Sequence, residues 1–143
     1  MGREGPRQIT RSIFRFGDPV TGFRRDLAAV AEKFIEAWNV DGPTDRRRLL
    51  EETCSKGIEV SSPYNEYSGI DKQFEEISRF REQFPRGRCR ARPISQHHES
   101  LLQAFTTDFG GDRPPLTGVD CVQFDDSGHV VRIVSFSPVR FPP

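Results

Sequence analysis

Sulfur is scarce in this chain: 143 residues contain one methionine and three cysteines, Cys54, Cys89 and Cys121. The cysteines are odd in number, widely spaced and free of any C-x-x-C pair, which argues against a disulfide framework and against a thiolate metal site. A reducing compartment is the expectation. No apolar run approaches the ~20 residues needed to cross a bilayer, and the first residues lack the hydrophobic stretch of a secretion signal. A cytoplasmic protein with no membrane partner is therefore expected. Net charge is also missing. Lys plus Arg and Asp plus Glu both number 21, so no overall field favours nucleic acid or an acidic surface. The phosphate loop G-x-x-x-x-G-K-[ST], the dinucleotide fingerprint G-x-G-x-x-G and the nucleophile elbow G-x-S-x-G are all absent. No cofactor is expected from what remains.

What is present is aromatic. Twelve Phe, two Tyr and one Trp must fill much of the interior, and rings make a stiffer filling than thioethers do. Charged residues reach 29% of the chain, yet the apolar residues fall in periodic blocks. One domain fits this length, large enough to bury close to ~70% of the surface its unfolded chain exposes.

The exception to charge balance is the beginning. Residues 1–25 hold Arg3, Arg7, Arg11, Arg15, Arg24 and Arg25 against Glu4 and Asp18. Glycine and proline are dense there, so residues 1–24 read as a loosely held basic arm that docks, if at all, through Ile13, Phe14 and Phe16. Residues 25–143 form the domain.

The first helix follows the arm. Leu27, Val30, Ala31, Phe34, Ile35 and Trp38 recur three and four apart, which is one helical face. Gly42 is expected to close this helix and Pro43 to open a second over about 43–54, with Leu49 and Leu50 buried and Arg46, Arg47 and Arg48 on a basic side. "GIEVSSP" reads as a brief strand and "YNEYSG" as a loop. A third helix is predicted from Ile70 to about Phe84, its apolar stripe made of Ile70, Phe74, Ile77, Phe80 and Phe84. Everything after Arg88 looks extended, with "DDSG" as a hairpin turn between the last two strands. Helices that precede or interrupt a run of antiparallel strands give an α+β order.

Alternation along the strands sorts their residues by face. In "LTGVDCVQFDD" one face carries Leu116, Gly118, Asp120, Val122 and Phe124, apolar except for a single carboxyl. A lone carboxyl among such neighbours has a raised pKa or a partner, and so Asp120 is either a catalytic acid or base or a buried structural acceptor. In "ISQHHESLLQAF" the adjacent His97 and His98 must point to opposite faces, and one of them should face the interior. Diverging histidines with no third ligand at a supporting spacing do not make a metal site. The basic arm lacks a regular aromatic interleave, which argues against a nucleic-acid partner.

Several segments together resemble a known family: "FIEAWNVDGPTDRRRLLEE" (34–52), "SSPYNEYSGID" (61–71), "RFREQFPRGR" (79–88), "HHE" (97–99), "TGVD" (117–120) and "DDSGHVVRIVSF" (125–136). In order and spacing the chain resembles the SnoaL-like group of the nuclear transport factor two-like superfamily. That resemblance implies three helices packed in the concave face of a strongly curved antiparallel sheet, a cone-shaped α+β barrel with a pocket. It implies that Trp38 is a helical wall residue, Tyr64 a rim residue, His98 a polar sheet residue, Asp120 the inward acid and Phe136 an aromatic near the end of the last strand. Phe105 stands where relatives often have Trp, and Gln103 is polar where relatives are commonly apolar. Phe34 and His97 join Trp38, Phe105 and Phe136 as expected ligand-binding residues.

The superfamily includes cyclases, isomerases, dehydratases and epoxide hydrolases, so the fold does not choose the chemistry. The expectation is lyase or isomerase chemistry, without a cofactor, on a small hydrophobic carbonyl compound. Asp120 would be the acid or base, with His98 as its partner and Tyr64 or His98 donating to a developing oxyanion. The rival is a module that only binds a hydrophobic molecule or dimerises; a third alternative is a cone filled by its own side chains. A homodimer through the outer sheet face is expected, with Val119, Leu101 and Phe105 as its outward residues.

Overall fold

The computed structural model describes residues 24–140, so the basic arm, apart from Arg24, lies outside the described residues together with its Ile13, Phe14 and Phe16. Among the described residues there are three helices: α1 (Arg25–Glu36), α2 (Pro43–Thr53) and α3 (Ile70–Gln83). Six strands form one sheet: β1 (Cys54–Ser61), β2 (Glu66–Ser68), β3 (Arg88–His97), β4 (Ser100–Asp108), β5 (Leu116–Phe124) and β6 (Val130–Phe136), in spatial order β2-β1-β6-β5-β4-β3. This is the expected α+β architecture, three helices on a curved sheet. One refinement concerns direction. β6 runs parallel to β1 while every other neighbouring pair is antiparallel.

Local chemistry explains most boundaries. α1 ends earlier than Gly42 suggests, its chain tightening through Ala37, Trp38 and Asn39 by hydrogen bonds to carbonyls three residues back. Gly42 instead caps the start of α2 in an extended conformation, with Pro43 in the first turn, where a missing N–H costs nothing. "YNEYSG", expected as a loop, contains the short β2, which pairs with the end of β1. At the turn after β5, Asp125 Oδ1 accepts from the backbone N–H groups of Ser127 and His129, each at 3.0 Å, and Gly128 takes φ +85°. That is the side-chain capping and positive φ that "DDSG" announces.

The core lies between the helices and the inner face of the sheet. Leu27, Ala31 and Phe34 of α1, Leu49 and Leu50 of α2, and Ile70 and Ile77 of α3 meet Ile58, Leu101, Val122, Phe124, Val130 and Ile133. In α3 the buried line is Ile70, Gln73, Ile77 and Arg81, while Phe74, Phe80 and Phe84 are half-buried beside it. The predicted stripe is thus rotated, and two polar residues take its centre.

Strand parity decides the faces. Leu101 is fully buried in the core and Phe105 points inward, so neither forms the outer face expected of them. Leu102, Ala104, Val119, Cys121, Val134 and Phe136 share the outer face, as their cross-strand pairings show. β3 is a sheet edge, and Arg88, Arg90, Arg92 and Pro93 along it are exposed. Charge and proline on an edge discourage pairing with another strand.

Candidate functional site

Between the helices and the sheet lies a cavity of about 570 Å³. One wall is Phe34 and Ile35 of α1 with Trp38 just after it; another includes Gln73, Glu76 and Phe80 of α3 with Phe84 at its end. The sheet supplies Val60, Cys89, Phe105, Thr107, Asp120, Ile133 and Ser135. Tyr64, Asn65 and Tyr67 come from the β1–β2 connection and its strand, and Phe109, Arg113, Pro114 and Pro115 from the loop entering β5. Exposure separates floor from mouth. Phe34, Asp120 and Ile133 are buried, whereas Tyr64, Arg79, Gln83 and Arg113 are open to solvent.

Aromatic rings dominate one side. Trp38 stands edge-on to Phe80 at 5.6 Å between centroids, Phe80 contacts Phe84 at 5.6 Å, and Phe84 contacts Phe109 at 4.7 Å. Such offset and edge-on arrangements suit the ring quadrupoles and give a stiff apolar surface.

Asp120 is 8% exposed on the opposite, sheet side. In register it lies between Gln103 of β4 and Ser135 of β6. Burial pushes its pKa up, and the Ser135 hydroxyl and the Gln103 amide pull partly in the other direction. Gln103 Nε2 donates to Asp120 Oδ2 at 3.3 Å. A polar residue at 103, out of character for an inward strand position, is explained by that bond. Asp120 has no ion-pair partner among the described residues. The site therefore holds a carboxyl whose ionised form burial disfavours and no ion pair among the described residues offsets.

The histidines lie elsewhere. His97 ends β3 and His98 begins the two-residue connection to β4; both are exposed, neither lines the cavity, and their Nδ1 atoms are 3.2 Å apart. His98 cannot partner Asp120, and His97 does not reach a ligand in the cavity. The strand ends one residue too early for alternation to place either ring inside, and His98 adopts φ +50° in the turn. Phe136 is likewise displaced. It is 58% exposed on the outer face opposite Val119, because its neighbour Ser135 takes the inward position beside Asp120. Of the remaining expected residues, Phe34, Trp38, Tyr64, Phe105 and Asp120 all line the cavity, with Tyr64 at the mouth, 69% exposed.

Other lining groups had no sequence signal. Tyr67 donates to Gln73 Oε1, and burial raises its pKa. Burial also pushes Glu76 upward, but Arg79 at 2.5 Å and the Asn65 amide at 2.8 Å outweigh it and hold Glu76 below the usual carboxylate range. Asn65 and Gln73 look like surface residues in isolation. Among the described residues no group of three or more His, Cys, Asp or Glu is placed to hold a metal ion. No helix among them is long and apolar enough to cross a membrane.

No protein-family model matches the chain, and no curated protein matches it. Solved structures do. A structure from Agrobacterium tumefaciens, described as a candidate isomerase of the SnoaL-like family, superposes with a TM-score of 0.71 at 20% identity, covering 81% of this chain and 100% of that one. A candidate SnoaL-like polyketide cyclase from Jannaschia sp. CCS1 gives 0.68 at 16% identity, covering 84% and 90%. An LEH-like epoxide hydrolase from M. tuberculosis gives 0.61 at 11% identity, covering 82% of each chain. The chain thus shares the cone-shaped α+β fold of these structures.

Proposed function

We propose that this protein catalyses proton transfer on a small hydrophobic carbonyl compound, as isomerase, lyase or cyclase chemistry requires. The reading is carried by one observation: a buried carboxyl with no cationic partner among the described residues sits in an aromatic-walled cavity of about 570 Å³. The ionised Asp120 removes a proton from the carbon next to the carbonyl, and the C–H electron pair moves toward oxygen to give an enolate. The protonated Asp120 then returns a proton to carbon, so the carboxyl ends as it began. Ser135, opposite Asp120 on β6, brings a hydroxyl into the lining beside the reacting carboxyl. The structures described as an isomerase and a polyketide cyclase share the fold and support the same class of chemistry.

The test needs no natural substrate. With 2-tetralone in deuterated buffer, the protein should accelerate deuterium incorporation beside the carbonyl, followed by NMR. Asp120→Asn should reduce that acceleration roughly a hundredfold or more, the usual contribution of a positioned acid or base. The dependence on pH follows from the direction of the Asp120 shift. The carboxylate is the base, so exchange should rise with pH along a titration displaced above that of an ordinary Asp. His98→Gly should leave exchange intact, since glycine accepts the φ of +50° and the ring lies outside the cavity. Equal exchange by wild type and Asp120→Asn would sink the proposal.

We also propose that two copies associate through the outer sheet face. Phe136 and Leu102 are the exposed large apolar residues there, 58% and 37% accessible, with Val119 and Val134 between them. Light scattering at micromolar concentration should give twice the chain mass, and Phe136→Asp should halve it. A monomer for the unaltered chain contradicts this.

A further inference from the structure

The mouth of the cavity carries a cation that the proton-transfer chemistry does not use. Arg113 lies on the loop between β4 and β5, exposed, with its guanidinium 4.4 Å from the Phe109 ring centroid and 5.3 Å from that of Phe84. Stacking of this kind occupies the faces of the guanidinium and leaves its in-plane N–H groups free. Among the described residues those groups donate to no protein acceptor and no carboxylate lies within 4.0 Å.

The other charges at the site are accounted for. Arg79 is matched by Glu76, which also accepts from Asn65, and Asp120 lies on the floor between Gln103 and Ser135. Among the described residues the mouth therefore presents one unmatched positive charge, held in place by two rings of the cavity wall.

We propose that the ligand of this cavity is amphipathic: an apolar ring system that enters along the aromatic wall, and a carboxylate that remains at the mouth on the guanidinium of Arg113. The planar fork of arginine matches a carboxylate with two parallel hydrogen bonds. Strand geometry sets the length. Asp120 lies four residues along β5 from Leu116, about 13 Å at the usual rise per residue, and Arg113 lies just before that strand. A molecule that engages both ends is elongated, of the size of two fused rings with a short acid arm. Arg113 is then a specificity residue that orients the ligand, with its apolar part directed to Asp120.

The inference rests on reading the cavity as a ligand site, and a matched pair of probes separates the two ideas. Calorimetry or NMR titration compares 2-naphthylacetate with the neutral 2-naphthylacetamide, for the full chain and for Arg113→Gln. The carboxylate should bind about fivefold tighter than the amide, the scale of one partly exposed ion pair. The preference should shrink with added salt and vanish in Arg113→Gln, while affinity for the amide stays within about twofold. Equal affinity for the two probes, or a preference that survives Arg113→Gln, overturns the assignment and leaves the proton-transfer reading standing. Failure of both probes to bind overturns both.

Discussion

Gly118→Ala should lower the thermal unfolding midpoint by about 10 °C, equivalent to about 3 kcal/mol in a chain of this size. Gly118 sits on the inner face of β5 opposite Phe105 of β4, whose ring lies across it. A methyl group built there meets Phe105 Cζ at 2.4 Å and Cε2 at 2.5 Å, and the backbone oxygen of Phe136 at 2.4 Å. The ring could swing away, but the carbonyl belongs to the adjacent strand and cannot move without spreading the sheet. The reason for glycine is therefore close approach and not a positive φ. A second substitution tests this. Phe105→Ala combined with Gly118→Ala should recover only part of the loss relative to Phe105→Ala alone, because the contact with the Phe136 oxygen remains. If Gly118→Ala unfolds within about 2 °C of the parent in a calorimeter, the argument for close approach is wrong. A consequence for the site follows as well: a displaced Phe105 ring intrudes on the cavity, so ligand affinity should fall along with stability.

Arg81→Met should cost about 3 kcal/mol, read as a shift of the urea midpoint at unchanged slope. Arg81 is buried near the end of α3 and donates to the carbonyls of Gly87 at 2.5 Å, Pro85 at 2.8 Å and Trp38 at 3.4 Å, and to Asp41 Oδ1 at 2.8 Å. It joins three segments: the end of α1, the end of α3 and the entry to β3. Methionine refills the apolar volume but leaves three carbonyls without this donor, at about 1 kcal/mol each. Asp41 contributes little to the loss, since its carboxylate is 90% exposed and water replaces the bond. Arg81→Lys should fall between the two, because one ammonium cannot reproduce the planar fork. Buried Arg46 repeats the device from α2, donating to Ser78 Oγ and to the carbonyls of Val40 and Asp41. Burial, and then the nearby Arg81, lower its pKa, which marks how much desolvation this corner tolerates. Because Trp38 belongs both to this corner and to the aromatic wall, loss of Arg81 should loosen the cavity before the whole domain unfolds.

The order of elements and the inward carboxyl were legible in the residues. Apolar spacing of three and four predicted the first and third helices and the Gly42–Pro43 pair the second, and alternation in "LTGVDCVQF" put Asp120 on the face with Val122 and Phe124, where it is buried. Alternation failed at the histidines, and the resemblance failed at Phe136, for a single reason. It gives relative faces within a strand, but where a strand stops, and which face is inner, depends on its neighbours. β3 turns into β4 at His98 and Glu99, which removes the pair from the cavity. On β6 the parity is set by pairing with β5, which turns Ser135 inward and Phe136 outward.

Polar residues were the other blind spot. Gln73, Gln103, Arg46 and Arg81 read as surface groups by type, yet all four are buried, each hydrogen-bonded to a partner at least five residues away. No local pattern announces such partners.

The sequence by itself determined the three helices, the run of strands, the turn at "DDSG" and the presence of one acid on an otherwise apolar face. Those follow from side-chain periodicity and turn chemistry, which act over a few residues. Only the tertiary structure decided that Gln103 and Ser135 flank that acid, that the histidines lie outside, and that Arg113 stacks at the mouth. Each of these depends on strand register and loop closure, which bring together residues from different strands, helices and loops, at separations that no local pattern reports.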